Sequence, residues 1–215
     1  MTAKEKASFC AFASMLLAFP EEETLLMLER EDVRSWLRVQ SGQWCTDPDV
    51  PAALFAGTDR KDRLTELSGA YDRLFGQWNG TAVSLVESTY KPWSAEPDCG
   101  MVFANSTGLL MGDSALHMNE LYKIVHAEVP PEMKSMPDHI VFELEFLSLL
   151  YDAAMEEHAR CFIAEHLDWI SQLKAAIERS DPHPFYRSVV KLIDLFIREE
   201  QKTEKAEDHG PKKIH

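Results

Sequence analysis

Apolar residues recur at three- and four-residue steps along most of the chain, and that rhythm constrains the fold more than any other feature. Phe9, Phe12, Leu16 and Phe19 set it near the N-terminus. Leu64, Leu67, Tyr71, Leu74 and Phe75 carry it through residues 59–75, and Ile140, Leu144, Leu147 and Tyr151 repeat it further on. At about 100° per residue such steps collect on one stripe of a helix, whereas a half-buried strand needs strict alternation. No stretch alternates long enough to build a sheet, and there is no internal repeat. With 215 residues the chain can bury one sizeable core. The expectation is an all-α, single-domain helical bundle of roughly eight to twelve helices, short turns included. The runner-up is an α+β protein using "VSLV" and "GMVF" as strands.

Punctuation divides the chain. A second helix is predicted over Glu21–Arg38, with acids in its first turn and Arg38 near its end, as the helix dipole favours. Gly42, Pro48, Pro51 and Gly57 make 39–58 a loop with room for one short helical turn. Asp59–Phe75 reads as a helix, and Gly76–Gly112, rich in Gly, Pro, Asn and Trp, as a long irregular segment. Helices follow over Asp113–Glu128, stopped by Pro130-Pro131, then after Pro137, across Cys161–Arg179, and over Pro184–Glu199. The domain spans 1–199, and 200–215 reads as a polar, disordered tail. The apolar stretch "ASFCAFASMLLAF" behind Lys4 and Lys6 imitates a secretory signal. Glu5 in its basic region, and Phe19-Pro20-Glu21-Glu22, which offers no small-residue cleavage site, make it the first helix of the fold instead.

Composition narrows the function classes. Thirty-six acids against 22 Lys and Arg give a formal charge of −14, which repels nucleic acid and anionic membranes and suits a cationic partner or plain solubility. No apolar run is long enough to span a bilayer, so no membrane insertion is expected. Cys10, Cys45, Cys99 and Cys161 form no CxxC pair and suit a reducing cytoplasm. None of the eight histidines follows a Glu by three positions, and HExxH, phosphate-loop, GxGxxG and GxSxG motifs are absent. His158, Cys161, Glu165 and His166 form a loose ligand-like group that reads as a hydrated helix face. No catalytic residue, metal or cofactor is assigned.

"SMPDHIVFELEFLSLLY" (135–151) is the stretch that composition does not explain. Ser135 and Asp138 fit a capping box, with Pro137 in the first turn where its missing N–H costs nothing. Asp138, Glu145, Asp152 and Glu156 fall on one polar edge. His139 and Glu143, four residues apart, fall beside Phe146, Leu147 and Leu150, where an imidazole and a carboxylate could hydrogen-bond. Three readings stay open: a structural helix start, the wall of a binding groove, or an acid–base pair.

The same stretch resembles the PDHI-x-x-EL-x-F signature of the TorD/DmsD/NarJ chaperones of redox-enzyme maturation. "YDRLFG" (71–76) is similar to that family's aromatic-x-x-LF element, and "ESTYKPW" (87–93) to its ES-x-Y segment. "HLDWISQL" (166–173) and "PFYRSVVKLIDLFI" (184–197) resemble its last two helices. One departure is Ser135, where the family often has Glu.

The resemblance implies a cytoplasmic, non-catalytic chaperone. Its partner would be a molybdopterin-containing oxidoreductase and that client's twin-arginine signal peptide, held back from export until the cofactor is inserted. It also implies a monomer or a domain-swapped homodimer, with 76–112 as a hinge. The matching elements would converge on a peptide groove formed by Tyr71, Leu74, Phe75, Glu87, Tyr90, Pro92, Trp93, Pro137, Asp138, His139, Ile140 and Glu143. Phe75 and Trp93 would bury the apolar part of the signal, and Asp138 or Glu87 would face its arginines. The alternative is a nucleotide-binding or acid–base enzyme using Asp138, His139 and Glu143.

Overall fold

The computed structural model describes residues 1–57, 59–76, 82–180 and 182–208, with side chains to residue 202. Its α-helices are α1 (Ala3–Leu17), α2 (Glu22–Glu29), α3 (Glu31–Ser41), α4 (Asp49–Ala53), α5 (Arg60–Phe75), α6 (Asp113–Ile124), α7 (Ile140–Asp152), α8 (Glu156–His166), α9 (Ile170–Arg179) and α10 (Pro184–Asp208). Two 3-10 turns, Glu87–Thr89 and Pro131–Met133, complete an all-α architecture. Among the described residues there is no strand, only one antiparallel bridge between Val86 and His139. The α+β alternative therefore fails, although "VSLV" does supply the residue that bridges.

The two apolar helices, α1 and α7, lie along each other at the centre. Ser148 Oγ donates to the Ala7 carbonyl at 2.9 Å and Ser14 Oγ to Glu145 at 3.3 Å, fixing their register. α10 packs on α9, α4, α8 and α1, and α8 on α7. Phe9, Leu17, Leu67, Met118, Tyr151, Trp169, Tyr186 and Phe196 are among the fully buried side chains that join these elements into one core. α1 begins with the capping box Thr2–Glu5, in which Thr2 Oγ1 accepts from the Glu5 amide and Glu5 accepts from the Thr2 amide.

Three boundaries differ from the periodicity. The helix expected over 21–38 breaks at Arg30, whose extended backbone both ends α2 and starts α3. Arg30 grips Asp32 through two hydrogen bonds of 3.0 and 2.6 Å, and Glu31 and Asp32 favour a new N-terminus there. The helix expected over 161–179 is two helices, because Leu167–Trp169 turn the chain so that Trp169 drops into the core. α6 stops at Ile124, short of Glu128, and His126 adopts a positive φ of 54° just beyond it. α10 runs past Glu199 to Asp208, and Glu200 is held by Lys6 at 2.7 Å and by the Tyr151 hydroxyl at 2.7 Å.

The irregular segment is tied down by its own backbone. Trp93 and Ser94 amides donate to Ser106 and Ala104 carbonyls at 2.9 Å, and the Asp113 amide donates to the Trp93 carbonyl at 2.9 Å. A Cβ at Gly112 would sit 2.6 Å from that Trp93 carbonyl oxygen, so this close approach requires glycine.

Candidate functional site

Residues 83–90 cross the front of α7 as a short strip, extended up to Val86 and then curled into the Glu87–Thr89 turn, held by the Ile140 amide on the Leu85 carbonyl at 2.9 Å and the Glu87 amide on the Asp138 carbonyl at 3.0 Å. The strip separates two environments.

On one side lies a cavity of about 400 Å³ lined by Tyr71, Phe75, Ala82, Val83, Ser84, Leu85, Val86, Thr89, Leu110, Met133, Met136 and His139. α5 contributes the aromatic wall: Tyr71 and Phe75 meet edge to face at 4.9 Å, and both pack on buried Tyr186. Its burial and the neighbouring Asp72 charge push the Tyr71 hydroxyl up to about 12, so it stays a neutral donor. Opposite stand the two methionines of the 131–136 turn and His139. Burial drives His139 down to about 4, so its imidazole is neutral near pH 7.

On the other side lies a buried polar network. Asp138 Oδ2 accepts the Ser88 amide at 2.7 Å. Glu87 Oε2 meets His166 Nδ1 at 2.8 Å, and its other oxygen meets the Lys91 ammonium at 2.6 Å. Lys91 also reaches Asp168 at 2.6 Å and the Glu165 carbonyl at 2.6 Å. Glu143 hydrogen-bonds Glu87 and receives the Trp169 indole N–H at 3.3 Å, an N–H shared with the His166 carbonyl at 2.8 Å. Burial, and then the Glu87 charge, push the Glu143 carboxyl well above its ordinary value. Burial also opposes ionisation of Glu87, but the hydrogen bond to His166 and the Lys91 charge outweigh it and leave Glu87 below the usual range. One proton therefore resides on Glu143, which donates it to the Glu87 carboxylate. Burial likewise raises Asp138.

The residues singled out from the sequence divide between these environments. Tyr71, Phe75 and His139 line the cavity. Glu87, Asp138 and Glu143, each 0 % exposed, lie inside the network, where none faces solvent. Leu74 and Ile140 are core. Tyr90 stacks on Trp169 at 4.9 Å and donates its hydroxyl to the Ser84 carbonyl at 2.8 Å. Trp93 packs against Phe103 at 4.9 Å, and its indole N–H reaches the carbonyl of cavity-lining Leu110 at 3.2 Å. Pro92 is exposed, and Pro137 is buried with its carbonyl bonded by the Tyr122 hydroxyl at 2.8 Å.

Three local expectations are corrected. The helix cap is His139, not a Ser135–Asp138 box: His139 Nδ1 accepts the Val141 amide at 3.3 Å, Asp138 lies outside the helix, and Ser135 is exposed. His139 and Glu143 do not pair, since the imidazole is committed to the cap and turned to the cavity while Glu143 points to Glu87 and Trp169. The reading of His166 as a hydrated surface residue also fails, for it is 2 % exposed. Its role was signalled only weakly, by the Glu87–Lys91 spacing of four and by "HLDW". The methionines were not legible at all.

Comparison with known families matches residues 45–183 to the nitrate reductase delta subunit family. The chain belongs to that family. The match covers more than half of the 215 residues and contains both sides of the strip, from Tyr71 to Trp169. The delta subunit family, to which the NarJ/TorD-like chaperones belong, serves the maturation of molybdenum redox enzymes as assembly factors, in agreement with the resemblance read from the sequence. Comparison with curated proteins finds no match. No helix among the described residues is long and apolar enough to cross a membrane.

Proposed function

We propose that this delta-family chain is a cytoplasmic, client-specific chaperone. It binds the twin-arginine signal peptide of a molybdopterin oxidoreductase, its apo form, or both, and delays export until the cofactor is inserted. The observation that carries this reading is the apolar cavity beside the 83–90 strip, within the family-matched region. Two tyrosine-class and phenyl walls give rigid apolar area, while Met133 and Met136 adapt to side chains of differing shape. Such a lining suits the apolar run of a signal peptide, and the net charge of −14 steers its basic end inward. Asp72 and Glu132 are exposed and flank Tyr71 and Met133 in sequence, so they, rather than Glu87 or Asp138, are the acids available to arginines.

The enzyme alternative gains no support from the geometry. Asp138, His139 and Glu143 do not converge on one open space, because the two carboxyls are sealed in the network and the imidazole caps α7. Calorimetric titration of the whole chain with a synthetic twin-arginine peptide and, separately, with GTP tests the reading. Saturable one-to-one peptide binding is expected. Tight nucleotide binding with no peptide binding would overturn it in favour of the enzyme class.

A further inference from the structure

His166 ends α8 with both ring nitrogens engaged. Nδ1 meets the Glu87 carboxylate at 2.8 Å, and Nε2 faces His117 Nδ1 at 2.8 Å across from α6. The ring is stacked on Phe162 at 4.9 Å and cannot swing freely. Glu165, the preceding residue, places a carboxylate oxygen within 4.8 Å of a ring nitrogen of each histidine. His117 and Glu165 are exposed and His166 is buried, so the three donor atoms meet at the surface, on the outer edge of the network.

We propose that His117, Glu165 and His166 form a binding site for a divalent transition-metal ion of the zinc type. The donor set is two imidazoles and one carboxylate, which such ions accept at about 2.0–2.2 Å and which leaves one position open to water. An ion seated between the imidazoles separates their nitrogens to about 3.4 Å at tetrahedral angles, and the exposed His117 side chain supplies that small movement. The structure already contains the supporting shell. The ionised Glu87 accepts the His166 Nδ1 proton, which fixes the tautomer with the Nε2 lone pair aimed at the site, as ligating histidines require. Lys91 neutralises the other Glu87 oxygen and fixes that carboxylate in turn. A second triad, Glu87, Glu143 and His166, is also close enough to chelate, but it is fully buried, and Glu87 is already paired with His166 and Lys91. Calcium and magnesium prefer all-oxygen sets and are poor competitors here. The bound ion would clamp α6 to the α8–α9 corner and so brace the 87–91 turn from outside. This site is independent of the peptide cavity.

The test uses the full chain after chelator treatment, with Zn²⁺ as the probe, in a Cys161→Ser background that removes the exposed thiol of α8. Isothermal titration should give one Zn²⁺ per chain and a raised melting temperature. His117→Ala should weaken binding by about a hundredfold and abolish the thermal shift, and Glu165→Gln should weaken it by about tenfold. His158→Ala, an exposed histidine of the same helix outside the set, should bind within about twofold of the parent. Both ligand variants lie at exposed positions, and far-UV circular dichroism checks that they fold. No Zn²⁺ binding by the parent overturns the proposal. So does parental affinity in His117→Ala, or an equal loss in His158→Ala.

Discussion

The two faces of the 83–90 strip share the strip itself and the start of α7, yet they are opposites: α5 walls the cavity, whereas the α8–α9 corner closes the network. On the network face every ionisable group has a partner: Glu87 has His166, Lys91 and Glu143, and Asp138 has Ser88. On the cavity face apolar side chains surround about 400 Å³ of open space. A buried network of mutually paired charges holds one backbone arrangement. An apolar cavity does the reverse: it adds little rigidity and keeps unspent binding surface. The contrast assigns stability to one face and recognition to the other.

The sharpest way to break that contrast is Glu87→Ala. It leaves protonated Glu143, His166 and Lys91 without their shared acceptor in a buried site. Losses of about 3–5 kcal/mol are typical when one partner of a buried charged pair is removed. Chemical denaturation should show a large fall in the midpoint, and peptide affinity should be lost only with the fold. A variant that stays as stable as the parent would mean that the network is not the structural face.

Asp138 gives a smaller effect of the same kind. Asp138→Ala strands the buried Ser88 amide that now donates at 2.7 Å, costing about 1–3 kcal/mol. Asp138→Asn keeps an acceptor there and should recover most of the loss in thermal unfolding. Equal losses in the two variants would show that the carboxyl acts through something other than this hydrogen bond.

How far this division was legible in the sequence follows from the range of the interactions. Helix type and most helix positions are set by local apolar periodicity, so α1, α5, α7 and α10 could be read directly. The breaks at Arg30 and Leu167 depend on which side chain must reach the core, a tertiary matter. The stretch from Pro137 announced itself as unusual, but the Ser88 amide that Asp138 accepts lies fifty residues away in an irregular segment, and the Trp169 indole that Glu143 accepts lies beyond the next helix. Local geometry therefore offered a capping box for Asp138 when the real acceptor role was long-range. The cavity was half legible through Tyr71, Phe75 and His139. Met133 and Met136 sit in a turn with no periodic signal.

Acid titration separates the two faces by sign. His139, on the cavity side, is lowered from 6.5 to about 4 by burial, so the fold favours its neutral form. Its contribution is complete above pH 6.5 and is lost as pH falls towards 4. Glu143, on the network side, is raised above 4.5, so its contribution is complete below that pH and is lost as pH rises. His139→Asn retains a capping side chain but cannot titrate. Its stability should fall less than the parent's between pH 6.5 and 4.5, by about 1–2 kcal/mol, when urea midpoints are compared across that range. The same slope in both proteins would place the acid sensitivity elsewhere.

The mildest substitution tests the cavity itself. Met136 is only half-buried, and its backbone amide bond to the Met133 carbonyl at 2.8 Å survives any side-chain change. Met136→Ala therefore opens no sealed void and should shift stability by less than about 0.5 kcal/mol. A bound peptide would, however, lose the apolar area that this side chain covers, worth roughly 1–1.5 kcal/mol for a partly buried methionine. That corresponds to about a tenfold weaker dissociation constant in the calorimetric titration. Unchanged affinity would move recognition away from the cavity. The next surface to examine would be the irregular segment, where Met101, Val102 and Phe103 are exposed together, and Val102→Ser would then be the variant that weakens binding.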